Sequence, residues 1–172
     1  MQLSSDVTRP VPNYSFEGQA MADTPQAALK EAKRQSNLSV NPKYTVTWHG
    51  FLNMGEVGTA MAALVAVMLS SNESTAAELM VVSSFAYGYI SIMMLAGGIV
   101  SPYTQALLPL SLYFLLYHLI GSAFLLLSGG WLMGVAKGEF LMQVASGAGI
   151  GCGVMHFLHG LYTFVTVFNQ PE

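Results

Sequence analysis

The chain has 172 residues, 53% of them hydrophobic and only 9% charged, with a mean hydropathy of +0.50. A soluble domain carries about 25% charged residues, and a chain this short has too little interior to hide the surplus apolar surface from water. The composition therefore requires lipid, the net charge of −3 speaks against a nucleic-acid partner, and the single cysteine, Cys152, excludes an internal disulfide.

Residues 1–44 differ from the rest. They hold Pro10, Pro12, Pro25 and Pro42 and five of the six basic residues, namely Arg9, Lys30, Lys33, Arg34 and Lys43. Such a segment cannot bury enough apolar surface to offset chain entropy, so it is expected to be a disordered tail. One short helix is expected inside it, capped by Thr24, with Pro25 at its first position and QAALKEAKRQ following. The opening MQLSSDVTRPVPNYSFEG holds no apolar run of signal-peptide length, so the first membrane segment is expected to direct insertion.

Four apolar runs follow, at about 51–70, 79–100, 107–128 and 145–168. Each approaches the ~20 residues that cross ~30 Å of hydrocarbon. Lipid demands internally satisfied backbone hydrogen bonds, so the spans are helices. Tyr44, Trp48, Tyr103 and Trp131 flank them as interfacial anchors. The connections 71–77, 101–106 and 129–144 are short, which makes consecutive spans antiparallel neighbours. The fold class is thus an all-α membrane protein: a disordered tail (1–44), a four-helix transmembrane bundle (45–168) and a short C-terminus (169–172). Lys and Arg concentrate in the tail, the first two connections have none, and the third has only Lys137. The positive-inside rule then places the tail, and after four crossings the C-terminus, in the cytosol.

Few residues suggest chemistry. Glu56 lies about a turn inside the first span; an intramembrane carboxylate is a functional candidate, although the simplest reading has it reaching headgroup water. His156 and His159 form H-x-x-H on one surface of the fourth span. With His118 on the third span they could bind a metal or haem. No cysteine pair, carboxylate cluster or second H-x-x-H completes a coordination shell, so interhelical hydrogen bonding is the expected role, with no metal and no cofactor assigned. Gly147, Gly149, Gly151 and Gly153, together with Gly58 and Ala62, form small-xxx-small pairs that suit close helix packing within the bundle or against another chain. Asn41, Pro42 and Tyr44 match N-P-x-Y, a turn that adaptor domains bind by strand addition, although an ordinary Asn-Pro turn also explains it. The N-x-S sequons at Asn37 and Asn72 are expected to be unmodified, one cytosolic and the other almost touching the membrane. No nucleophile–base–orienter set can be assembled, so no catalytic residue is expected.

The order of segments GFLNMGEVGTAMAALVAVMLSS, ELMVVSSFAYGYISIMMLAGGIV, LPLSLYFLLYHLIGSAFLLLSGG and GAGIGCGVMHFLHGLYTFVTVF resembles the MARVEL-domain family of four-span proteins over about Trp48 to Phe168. Claudins and tetraspanins fit less well, because paired cysteines and a large extracellular loop are missing. The resemblance implies a non-enzymatic role in membrane organisation, such as vesicle trafficking, membrane apposition or fusion, or junction assembly, at the plasma membrane or a vesicle membrane. Its partners would be lipids, a second copy or other membrane proteins. Connections this short offer little of the ~800 Å² that a specific interface buries per partner, which favours work in the membrane plane. Two alternatives stand beside it: a cofactor-binding or proton-relay subunit using Glu56, His118, His156 and His159, and an accessory subunit of a larger membrane complex.

Overall fold

The computed structural model describes residues 40–71 and 73–168. The expected helix at 25–35, the asparagines of both sequons and the C-terminus 169–172 lie outside them. Four long helices, α1 (Trp48–Leu69), α2 (Thr75–Val100), α4 (Leu112–Val135) and α5 (Phe140–Thr163), alternate in direction, and there is no strand among the described residues. A short α3 (Pro102–Leu107) and a 3-10 turn (Leu108–Leu110) join α2 to α4. By length and hydropathy all four long helices can cross a membrane.

Polar caps punctuate this apolar chain. The side chains of Thr47, Ser74, Ser101 and Ser111 accept from the backbone N–H groups of Gly50, Ala77, Thr104 and Phe114, and so start α1, α2, α3 and α4. Each satisfies one of the N–H groups that a helix start leaves without a partner. The turn into α5 instead uses left-handed backbone at Lys137 (φ 42°) and Gly138 (φ 85°), the second at no steric cost to glycine. The connection expected at 129–144 is therefore only four residues: α4 runs on to Val135 and α5 begins at Phe140. Gly129, Gly130 and Gly134 look like loop residues, but in lipid an unbroken helix keeps their backbone groups bonded.

In cross-section α1 packs on α2 and α5, and α4 packs on α2 and α5, so α1 and α4 face each other diagonally. The half of the bundle distant from the N-terminal tail is small and dry. Ala63, Ala66, Val67, Ala76, Ala77, Met80, Leu132, Met142 and Ala145 form its core. Alanines at the interface let helix backbones approach, which is how helices associate where no water-driven term exists between them.

The proposed packing glycines divide. A Cβ on Gly149 would overlap the Met80 side chain, and one on Gly153 would stand 3.0 Å from the backbone N of Leu126, so these two pack inside the bundle. Gly151 meets only Thr59 Cγ2, at 3.9 Å. Gly147 and Gly58 have open space in front of them, and Ala62 is exposed. Among the described residues these last three are exposed, outside the packed interior of the bundle.

The end of the tail is also corrected. Residues 42–46 form a 3-10 helix (Pro42–Val46) tucked under the bundle, where the sequence suggests disorder up to residue 44. Asn41 donates from its backbone N to Ile99 O at 2.6 Å and from its side chain to Gln105 Oε1 at 2.7 Å. Tyr44 is 4% exposed. The N-P-x-Y segment is thus an internal plug whose tyrosine is closed to an adaptor, because its ring has found an apolar slot.

Candidate metal centre

The half of the bundle nearer the tail is polar inside. Glu56, His118, His156 and His159 are all 0% exposed, and half-buried His49 adjoins them. All four histidines of the chain therefore gather around one carboxylate.

Helix phase brings them together. Glu56 is eight residues into α1, roughly 12 Å along it at ~1.5 Å per residue. His118 is six residues into α4, roughly 9 Å. His159 is four residues before the end of α5, roughly 6 Å. Odd and even spans enter from opposite sides, so these offsets fall at similar depth. His156 and His159, three apart, share the inner face of α5. The simplest expectation for Glu56 is overturned, since its side chain points to the bundle axis and not to headgroup water.

The contacts converge on one oxygen. Glu56 Oε1 lies 2.8 Å from His159 Nδ1, 3.3 Å from His118 Nδ1 and 3.8 Å from His156 Nδ1. His118 Nδ1 and His156 Nδ1 are 3.0 Å apart. Ser91 of α2 lies 3.0 Å from the other carboxylate oxygen and 3.1 Å from the Tyr117 hydroxyl, which donates to Tyr87 O at 2.7 Å. One carboxylate thereby touches side chains from all three other spans. Its ion-pair partners are histidines alone among the described residues.

Aromatic rings hold the imidazoles in place. Phe114 stands edge-on to His118 at 4.4 Å and to His159 at 5.1 Å between centroids. Tyr117 flanks His118 and His156 at 5.0 and 5.4 Å. On the tail side His49 Nδ1 lies 2.8 Å from His159 Nε2, and Tyr162 packs on the His49 ring at 5.1 Å.

The ring orientations carry chemical information. His118 Nε2 and His156 Nε2 have no hydrogen-bond partner, a cost of about 1–3 kcal/mol for each buried polar atom that an ion held at Nδ1 would leave in place, while both Nδ1 atoms crowd towards the same oxygen. Ligand atoms at the corners of a tetrahedral ion, each ~2.0–2.1 Å from it, stand about 3.3 Å apart. Four of the six separations within such a set, at 2.8, 3.0, 3.3 and 3.8 Å, bracket that value. The ligand atoms of Glu56, His118 and His159 all lie within 4.8 Å of one another and could hold a metal ion. The carboxylate missing from the sequence motif is supplied by Glu56, from the opposite end of the described chain.

Four contributors were missed in sequence. His49 reads as an interfacial residue beside Trp48, and Ser91 and Tyr117 look like ordinary polar residues in an apolar span. Asn53, which donates to the Tyr44 hydroxyl at 3.0 Å, sits one helical turn before Glu56 and so shares its face; that spacing was the available signal. Cys152 is buried beneath the cluster, with its Sγ 3.4 Å from Glu56 O. In comparisons with protein-family models, curated proteins and solved structures, nothing matches this chain.

Proposed function

We propose that this chain is a non-enzymatic membrane subunit that holds a divalent first-row transition-metal ion inside its four-helix bundle. Glu56 Oε1, His118 Nδ1 and His159 Nδ1 are the protein ligands, and His156 Nδ1 stands near the fourth position. The observation that carries this reading is the convergence of three imidazole Nδ1 atoms on one buried carboxylate oxygen.

Charge supports it. A carboxylate in the membrane costs about 2.5–3.5 kcal/mol even on insertion-based scales, and among the described residues the ion-pair partners of this one are histidines. A bound cation supplies the counter-charge. Imidazole nitrogens favour zinc, iron, cobalt or copper over magnesium or calcium, which take oxygen ligands. The enclosing aromatic rings exclude water and fix the ligand geometry, which raises the electrostatic gain of binding.

Cobalt titration tests the reading. The full chain, purified without a polyhistidine tag and stripped of metal, should bind one Co²⁺ with the visible absorption of a four-coordinate ion, and Zn²⁺ should displace it. Glu56→Gln and His159→Ala should lose the signal while eluting as the parent does on size exclusion; Cys152→Ala should keep it. A parent that gives only the spectrum of the hydrated ion would refute the proposal.

A second reading, the membrane-organising role implied by the MARVEL-like order of spans, is favoured by a separate observation. Gly58, Ala62 and Gly147 are exposed, and no described residue stands within 4 Å of a Cβ on Gly58 or Gly147, which suits a second copy or another span. Its test is in-membrane cross-linking of Gly58→Leu and Gly147→Leu. Unchanged cross-linked species would remove that support. On either reading the tail is assigned to the cytosol by its basic residues, in a plasma or vesicle membrane.

A further inference from the structure

We infer that the ion exchanges with the tail side of the membrane, along a path that passes His49, and that the other side of the bundle is closed to it. This rests on the metal-holding reading and adds a direction to it.

The closed side is visible in the packing. Ala60, Leu125 and Cys152 fill the bundle next to the cluster, and beyond them lies the alanine- and methionine-rich core. Of the polar side chains there, Ser84, Ser128 and Ser146 are engaged. Ser84 lies against Met80 Sδ at 3.2 Å, Ser128 donates to Leu125 O at 3.3 Å, and Ser146 donates to Gly129 O at 2.6 Å. An ion moving that way would shed its water with nothing to replace it, and burying an uncompensated charge is costly. The lateral route through Ser91 and Tyr117 ends on the backbone carbonyl of Tyr87, inside the bundle.

The tail side differs in kind. His49 is on the first turn of α1 and only half-buried, unlike the four enclosed members of the cluster. Its Nδ1 faces His159 Nε2 at 2.8 Å, so one imidazole spans the gap between the boundary and a proposed ligand. An arriving ion can bind the His49 ring before His159 takes it. Once His159 Nδ1 holds the ion, its Nε2–H donates to His49 Nδ1, the outer bond that fixes a metal-bound imidazole. A site open at one end stores or senses an ion and does not pass it across.

Proteoliposomes test the direction. The parent chain is loaded with Co²⁺, and its two insertion orientations are distinguished by protease access to an N-terminal epitope. A membrane-impermeant chelator added outside should bleach only the chains whose tail faces out. Equal bleaching of tail-in chains would overturn the inference. Stopped-flow uptake of Co²⁺ by detergent-solubilised protein gives a second readout. His49→Phe should slow it about tenfold or more, whereas Met68→Leu on the lipid face of α1 should not. An unchanged uptake rate in His49→Phe also overturns the inference, because His49 is then off the path. A parent that binds no Co²⁺ at all overturns the metal reading first, and this inference with it.

Discussion

The ring of Tyr44 occupies the space that a side chain at Gly98 would need: a Cβ on Gly98 would stand 2.5 Å from Tyr44 Cζ and 2.7 Å from its Cδ1. The residue that ends the tail is therefore locked into the last turn of α2, next to the histidine-lined half of the bundle. Truncating the ring leaves a cavity, and aromatic-to-alanine changes in packed cores cost about 3–5 kcal/mol. Tyr44→Ala should lower the detergent melting temperature strongly, and Tyr44→Phe should lose only about 1 kcal/mol, for the bond from Asn53. Equal melting of Tyr44→Ala and parent would show that the plug is not part of the folded unit.

Tyr44 also sets an alkaline limit. Burial pushes its hydroxyl above the ordinary value of 10.0, with Glu56 adding to the rise and the Asn53 hydrogen bond opposing both. The folded chain keeps this proton where the unfolded chain has lost it. The contribution is therefore intact below pH 10.0 and is lost as pH rises above that value. Melting temperatures measured from about pH 9 to about pH 11 should fall less steeply in Tyr44→Phe than in the parent. Parallel curves would contradict the burial of this hydroxyl.

Glu56 should tolerate an isostere and not a hydrocarbon. Glutamine keeps two polar ends for Ser91 and the histidines, so Glu56→Gln should fold and lose metal. Glu56→Leu leaves His118, His159 and Ser91 facing an apolar group, and each unpaired buried atom costs about 1–3 kcal/mol. Its melting temperature should drop well below that of Glu56→Gln. If the two variants melt together, the cluster contributes nothing to holding the spans.

Glycines on α5 should separate by direction. Gly153→Leu drives a side chain into the backbone of α4 beside Leu126 and should destabilise by about 1–3 kcal/mol or more. Gly147→Leu faces open space and should melt as the parent does. Gly151→Leu, with only Thr59 near it, should be mild. Thermal melts of the three variants, run side by side, check the ranking; a destabilised Gly147→Leu would point to a neighbouring chain at that face.

Topology follows from the basic tail. Epitopes on both termini should be hidden in intact cells and exposed once the membrane is permeabilised. Surface labelling of either terminus in intact cells would reverse the side from which the proposed metal site is reached.

Much of the fold was legible because lipid imposes strong one-dimensional rules. Apolar runs of spanning length, few charges and short connections determine four antiparallel helices, since no other backbone satisfies its hydrogen bonds in hydrocarbon. The ends were less legible. Thr47, Ser74 and Ser111 start helices earlier or later than hydropathy suggests, because capping is a local hydrogen-bond choice. Gly149 and Gly147 are equivalent in sequence, and only the rotation of α5 within the bundle makes one a contact, with Met80 of α2, and the other a lipid-facing gap.

By itself the sequence determined that this protein lives in a membrane, how many times it can cross, and that Glu56, His118, His156 and His159 are costly there. What they do together was decided by tertiary structure. Glu56 and His159 are 103 positions apart, and nothing in hydropathy sets the azimuth of one span relative to another. Packing sets it: small residues on α1 and α5, with Gly149 and Gly153 against Met80 and Leu126, bring the helices close in one rotation. In that rotation His118, His156 and His159 turn towards a single carboxylate and His49 backs His159, because polar groups excluded from lipid have only one another to face.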